Sequence, residues 1–329
     1  MNRTVRWLNL ISAAVALAAT ASAAQAEQKK IAITSISEVA QVLDLKRGLL
    51  EELARLGYTE GKNLQVEYAN ALGNFQVQQQ IAKKFASETY DVVVPITTPT
   101  SIAVAKAEEE NKTPVIFTMV TDPIGAKLVK SLEKPGGLVS GVSDIPPIER
   151  QVELIRQLIP SLKRLGFIYN PSLASSQTFL AILNKLGSSS GFTIVEAASP
   201  NTSDVLNAAR SLVGRVDAVY VPNDTTVTAA LESVIKVGID EKLPIFTGES
   251  RGVERGAIAS LSFDYYDVGV STAPLVKAVL EGKKPGDIDV LVMKDVYKNF
   301  QLVINVKSAA AMGVSIPDSM RASAKKIIE

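Results

Sequence analysis

Apolar positions along the chain switch repeatedly between a period of two and a period of three to four. Lys30 to Thr34 reads as a buried strand, and Val42, Leu45, Leu49, Leu53 and Leu56 then recur with the spacing of one helical face. Gly57 follows directly and suits a helix C-cap. Leu64, Val66 and Tyr68 alternate as a strand; the pattern predicts a helix over 75–87, a strand over 91–96, a helix over 101–110 and a strand over 114–118. The same rhythm restarts downstream. Strands are predicted over 165–169, 192–196, 217–221 and 244–247, with helices over 175–186, 203–213 and 225–239 between them. Within each set the strands begin roughly 23 to 34 residues apart, the length of a βα unit.

Two successive sets of four such units predict an α/β protein with two doubly wound, parallel-sheet lobes. A single eight-stranded barrel fits less well, because about 35 residues from Val120 to Ile155 interrupt the rhythm at the midpoint. That stretch carries Pro123, Pro135, Gly136, Gly137, Pro146 and Pro147 and reads as a crossing between lobes. After Phe263 a helix over 267–280, a turn-rich loop over 282–287 and a strand over 302–305 suit a return between lobes and a multi-strand hinge. The expected division is 27–146 plus about 267–296 for lobe one, and 147–266 plus about 297–329 for lobe two.

The first 26 residues follow another pattern. Arg3 and Arg6 precede an apolar run from Leu8 to Ala19, and Ala24-Gln25-Ala26 has the small-x-small spacing of a signal-peptidase site. The run is short for a bilayer span. Cleavage near Ala26, an exported and periplasmic mature chain, and Glu27 as its first residue are expected. Without the leader, 33 basic residues face 34 acidic ones, a balance that argues against nucleic acid or an anionic membrane as partner.

Two absences narrow the chemistry. The chain has no Cys, hence no disulfide, no thiolate nucleophile and no lipidated N-terminal cysteine. It has no His, which removes Ser-His-Asp chemistry and imidazole metal ligation. No phosphate-binding glycine loop follows any predicted strand. The reading is a binding protein rather than an enzyme, a monomer without cofactor or metal.

In open α/β sheets ligands lie beyond the carboxyl ends of the strands. Those positions hold Ser37, then Thr98 and Thr100, then Thr121 and Asp122 in the first set. In the second set they hold Asn170 and Ser175, then Asn223, Asp224 and Thr225, then Glu249. Hydroxyls beside helix N-terminal amides can cradle a carboxylate, and the same residue types are the preferred helix caps. Asp224 is the sharper candidate and is expected to neutralise a ligand ammonium, with capping of the following helix as the alternative. Asp144 and Glu249 can face the cleft or pair at the surface with Arg150 and Arg251. Tyr169, Tyr265 and Tyr266 can stack on a ligand ring or pack in a hinge.

Several runs resemble one family. They include PVIFTMVTDPIGAKLVKSLEKPGG at 114–137, GVSDIPPIERQVELI at 141–155 and FIYNPSLASS at 167–176. DAVYVPNDTTV at 217–227, DYYDVG at 264–269 and LVINVKSAAAMG at 302–313 extend the match. Together they resemble the tryptophan/tyrosine-type substrate-binding proteins of ABC importers, a branch of the type I periplasmic binding-protein fold. Leu138 stands where that family usually has Asn after the two glycines. The resemblance implies a two-lobed fold, a small-molecule ligand such as an aromatic or branched amino acid, and a permease partner in the membrane. It also implies that Thr98-Pro99, Thr121 to Pro123 and Asn223 to Thr225 hold the ligand's carboxylate and ammonium. The alternatives are a ligand-binding sensor, or a receptor for a sugar or an aromatic acid.

Overall fold

The computed structural model describes residues 28–298 and 300–329; the leader and its cleavage site lie outside them. The first half alternates β1 (Lys29–Ser35), α1 (Ala40–Arg55), β2 (Leu64–Asn70), α2 (Phe75–Ala86), β3 (Val92–Ile96), α3 (Thr98–Asn111), β4 (Val115–Val120) and β5 (Val139–Ser143). With the short β11 (Leu291–Val292) these strands form a six-stranded sheet in the order β11-β5-β4-β3-β1-β2, parallel throughout.

The second half comprises α4 (Ile148–Leu158), β6 (Arg164–Tyr169), α5 (Ala174–Ser190), β7 (Thr193–Ala198), α6 (Val205–Ser211), β8 (Ala218–Val221), α7 (Thr225–Ala229), α8 (Leu231–Asp240), β9 (Ile245–Thr247), α9 (Ser250–Glu254) and β10 (Ala259–Ser262). Its four-stranded parallel sheet runs β7-β6-β8-β9. Beside it, β10 pairs antiparallel with β12 (Gln301–Asn305), which pairs parallel with β13 (Lys326–Ile328). In both halves the second strand lies outside the first and the third lies on its other side. The strand order therefore reverses between β1 and β3 and again between β6 and β8, and such switch points open a crevice at the carboxyl ends.

The strands are buried because they carry β-branched residues on both faces. Ile31, Ile33, Val92 and Val94 pack with Val42, Leu45, Leu49 and Leu53 of α1 in one core, and Leu165, Phe167, Val219 and Ile245 with Phe179 and Val234 in the other. The chain changes from one half to the other after β5, between β10 and the helix that follows it, and between β11 and β12. Phe263, Tyr297 and Phe300 pack ring against ring at the last two passages, with centroids 5.5 to 5.9 Å apart.

Three expectations need correction. The stretch from Val120 to Ile155 is not one long crossing: it contains β5, whose Val-Ser-Gly-Val-Ser sequence is too polar for the alternation to register, and most of α4. The helix expected over 225–239 is broken at Ala230 (φ −118°, ψ 26°) into α7 and α8. The last long helix, α10 (Tyr265–Leu280), begins two residues before Asp267.

Helix α10 packs on α1 through two glycines. A Cβ on Gly269 would collide with the Leu45 carbonyl and one on Gly48 with the Tyr266 carbonyl, so the backbones approach as only glycine allows. Gly269→Ala is expected to destabilise the protein by about 1–3 kcal/mol through overpacking, read as a lower midpoint in urea with an unchanged slope.

Candidate functional site

Residues that follow strands of the two parallel sheets meet between the halves, Gln41 with Glu249 and Asp122 with Thr178, and the first half carries strained backbone nearby in sequence. Thr97, between β3 and α3, has φ 84° and ψ 153°, a region that residues other than glycine almost never occupy. Its carbonyl accepts from the Ser101 amide (2.9 Å) and the Ser101 hydroxyl (2.8 Å), which hold the first turn of α3. Met119 (φ 57°) sits in a bulge of β4, where the register with β5 shifts between Phe117 and Val120. Thus the ends of two adjacent strands both leave regular geometry at the crevice. Thr98, with Pro99 after it, opens α3 and is buried, beside amides that lack intrahelical partners. Thr100 is a strut: its hydroxyl accepts from the Ile36 amide (3.0 Å) and pairs with the Thr97 hydroxyl (3.1 Å).

Asp144 stands at the end of β5 on the first passage between halves. It is 2 % exposed, and its Oδ2 accepts from the Tyr265 hydroxyl at 3.2 Å, while Oδ1 has no partner among the described residues. Asn223, just after β8, donates from Nδ2 to the same Tyr265 hydroxyl at 2.8 Å, which leaves its buried Oδ1 also without a donor. Tyr265 therefore contacts both side chains, and each keeps one buried acceptor without a partner among the described residues. Burial pushes the Asp144 carboxyl up to about 6, against the lowering effect of the Tyr265 and Thr121 hydroxyls. Burial, then the Asp144 and Glu249 charges, pushes the Tyr265 phenol well up. Beside them Tyr220 donates to Gln151 Oε1, and Gln151 Nε2 ties the Gly248 and Leu261 carbonyls at 2.9 and 2.7 Å. A Cβ on Gly248 would lie 2.9 Å from Asn223 Oδ1, so glycine leaves room beside that acceptor.

The alternative for Asp144 and Glu249, surface pairing with Arg150 or Arg251, does not form. The Arg150 guanidinium lies over the Phe300 ring at 4.9 Å, and Arg251 pairs with Asp44 (2.6 Å) and Glu254 (3.4 Å). Glu249 is buried, caps α9 by accepting from the Arg251 amide (2.8 Å), and accepts from Gln41 Nε2 of the other half (2.9 Å). Its carboxyl is raised, chiefly by burial.

Asp224, the acid expected to face a ligand ammonium, is instead fully buried inside the second half. Oδ1 accepts from the Thr226 and Val227 amides (2.9 and 3.0 Å), and Oδ2 from the Asn170 amide and the Ser176 hydroxyl (both 2.7 Å). Every strong acceptor direction is taken, so the geometry supports the cap. Asn170 is likewise consumed, donating to the Pro200 carbonyl and the Thr226 hydroxyl and accepting from Ser172. Asp122 accepts from the Gly125 amide and the Thr178 hydroxyl, both at 2.8 Å. Thr225 is exposed, Ser37 is half-buried, and Ser175 is buried in the first turn of α5. The structure thus brings Thr121 and Asn223 together with Asp144 and Tyr265, while Thr98 lies at the start of α3 and Glu249 is taken up by the α9 cap and Gln41. Gln41, Gln151 and Tyr220 join them with no motif to announce them.

Two unpaired buried acceptors suit a ligand end with several N–H donors, and the open amides at the start of α3 suit an anionic group. Among the described residues no group of His, Cys, Asp and Glu is placed to hold a metal, and no helix is long and apolar enough to cross a membrane.

Two doubly wound parallel sheets in one chain are the architecture of the type I periplasmic binding-protein fold. Residues 30–328 match the model of the family described as ABC transporter substrate binding protein, and the chain belongs to that family. A tyrosine-binding protein of Clostridioides difficile is 36 % identical over 286 residues, which cover 87 % of this chain and 81 % of that one. The structure of an ABC domain in complex with L-Trp from Streptococcus pneumonia matches with a TM-score of 0.85 at 33 % identity, covering 92 % of this chain and 100 % of that one. The ligand-free, open structure of a substrate-binding protein with adhesive properties from Clostridium difficile matches at 0.72 with 31 % identity, covering 91 % and 99 %. The chain is a binding protein, not an enzyme, in a family whose members lie outside the cytoplasm and work with membrane ABC permeases.

Proposed function

We propose that this protein captures an amino acid with an aromatic side chain in the crevice between the two halves and hands it to an ABC importer. The carrying observation is the buried Asp144 carboxylate, with its free Oδ1 and the free Oδ1 of Asn223 beside it. A buried charge is tolerated only when paired and hydrogen-bonded, and an ammonium supplies both the charge and the donors. The α-carboxylate then meets the amides and the Thr98 hydroxyl at the start of α3, with Thr121 between the two ends of the ligand. The L-Trp and tyrosine bound by the two relatives carry this pair of groups. An aromatic acid without an amine would set its charge against Asp144, and a sugar would leave the carboxylate unneutralised.

In this reading the halves are lobes that turn about the three passages between them. The better match to the Trp-bound domain than to the open structure, at nearly equal identity, supports a closed arrangement. Export with removal of the leader near Ala26 and action as a monomer complete the proposal. The test is a thermal-shift screen over L-tyrosine, L-tryptophan, L-leucine, indole-3-acetate and neutral sugars. L-Tyrosine or L-tryptophan at about 100 times its dissociation constant should add about 2.7 kcal/mol of stability, with no shift from the acid or the sugars. A shift from a sugar alone would overturn the reading.

A further inference from the structure

Three side-chain contacts join the halves without involving Asp144, Asn223 or Thr98. Thr178 of α5 donates to Asp122 Oδ2 at 2.8 Å, Gln41 of α1 donates to Glu249 Oε2 at 2.9 Å, and Arg251 meets Asp44 at 2.6 Å. In the first two, each acceptor is fixed by its own half before the other half arrives. The Gly125 amide holds Asp122 Oδ1 at 2.8 Å, and a Cβ at that glycine would collide with the carboxylate. The Arg251 amide holds Glu249 at 2.8 Å. The donors are reciprocal: the second half reaches into the first through Thr178, and the first into the second through Gln41.

We propose that Asp122–Thr178 and Gln41–Glu249 form a clasp whose four side chains are positioning residues for ligand capture: they stabilise the closed form before and after the ligand enters. Asp44–Arg251 is a lesser member, since both side chains are partly exposed and screened by solvent. The clasp works against the empty site. Closing without ligand buries the Asp144 and Asn223 acceptors unpaired, which disfavours the closed form, and the clasp offsets part of that cost. A ligand that fills those acceptors removes the cost, and the full closing tendency of the clasp then appears as residence time. Because affinity scales with the population of the competent state, residues that never touch the ligand set part of its dissociation constant.

The inference rests on the cleft reading above, and its test separates the two. Thr178→Val and Gln41→Leu remove one donor each while keeping size. The ligand-free double variant should show a larger radius of gyration by small-angle scattering than the ligand-free wild type, with the same far-ultraviolet dichroism. With L-tyrosine and L-tryptophan as probes, its dissociation rate constant should rise about tenfold or more, the association rate constant changing by less than about threefold. Thr178→Ser, which restores a hydroxyl in the single background, should return the wild-type dissociation rate. Identical ligand-free scattering for wild type and double variant overturns the clasp. Failure of both amino acids to bind the wild type overturns the cleft reading and leaves the scattering comparison to decide the clasp.

Discussion

Asp144→Asn is expected to weaken amino-acid binding by about 3–4 kcal/mol, two to three orders of magnitude, while making the ligand-free protein more stable. The two effects share one cause. In the closed, ligand-free form held by the clasp, the Asp144 carboxyl is buried with one oxygen unpaired, and that burial pushes it up to about 6 from the ordinary 3.8. The folded state therefore holds this proton more tightly than the unfolded chain does. On this group's account stability is full below about pH 4, falls as pH rises through 4 to 6, and at pH 7 is lower by about 3 kcal/mol. An asparagine avoids that loss and still accepts from the Tyr265 hydroxyl, but it cannot neutralise an ammonium. Melting curves of the ligand-free variant should therefore lie above wild type at pH 7 and converge with it near pH 4, while calorimetric titration with L-tyrosine shows the lost affinity. Wild-type affinity should also rise from pH 5 to pH 7 and then level, because an ammonium ligand selects the ionised carboxylate. Titrations at pH 5.5 in buffers of different ionisation heat should show proton release on binding that vanishes by pH 8. An Asp144→Asn variant with unchanged affinity, or with a lower ligand-free melting point at pH 7, would show that this carboxylate is structural. Such an inverse movement of stability and function is the usual mark of a residue kept for its site.

The alternation of strand and helix was legible because burial on both faces of a parallel sheet demands β-branched runs, and a covering helix demands an apolar stripe. Val42 to Leu53 and Ile31 to Ile33 are such cases. Strand β5 escaped because its serines and glycine are held by neighbours rather than by apolar contact: Ser140 donates to the Ile288 carbonyl at 2.7 Å, and Ser143 to the Thr121 carbonyl at 3.0 Å. The rule that ligands lie beyond strand ends picked Thr98, Thr121 and Asn223, and the structure places each just after a buried strand, β3, β4 and β8. It could not rank the acids. Asp144 has Arg150 six residues away in sequence, yet that guanidinium turns to Phe300, and only the fold shows that Asp144 has no ion-pair partner among the described residues. Nor does sequence report that Tyr265, from the second passage, contacts both Asp144 and Asn223. A constellation drawn from three separated segments has no spacing by which to find it.

Asp224 carries the opposite expectation, a large loss of stability with little specific effect on affinity. Asn-Asp-Thr-Thr after a buried strand reads equally as a ligand carboxylate or as a cap, since both roles need a short acceptor at a helix start. The four contacts decide between them: one oxygen caps α7, while the other draws the Asn170 amide after β6 and the Ser176 hydroxyl at the start of α5 towards β8. Asp224 thus bolts β6 to β8 at the switch point of the second sheet. In Asp224→Asn one amide oxygen can keep the α7 cap, but the NH2 group then points at the Asn170 N–H. That backbone donor is left buried and unpaired, at a cost of about 1–3 kcal/mol, and the charge-assisted strength of the remaining bonds is also lost. Asp224→Ala loses the cap as well and should cost about 3–5 kcal/mol. Urea unfolding of the ligand-free variants should give midpoints in the order wild type, Asn, Ala. Titration with L-tyrosine at a temperature where both variants are fully folded should give dissociation constants within about threefold of wild type, because Asp224 has no free lone pair to offer a ligand. A loss of affinity as large as that of Asp144→Asn, without loss of stability, would return the ammonium to Asp224.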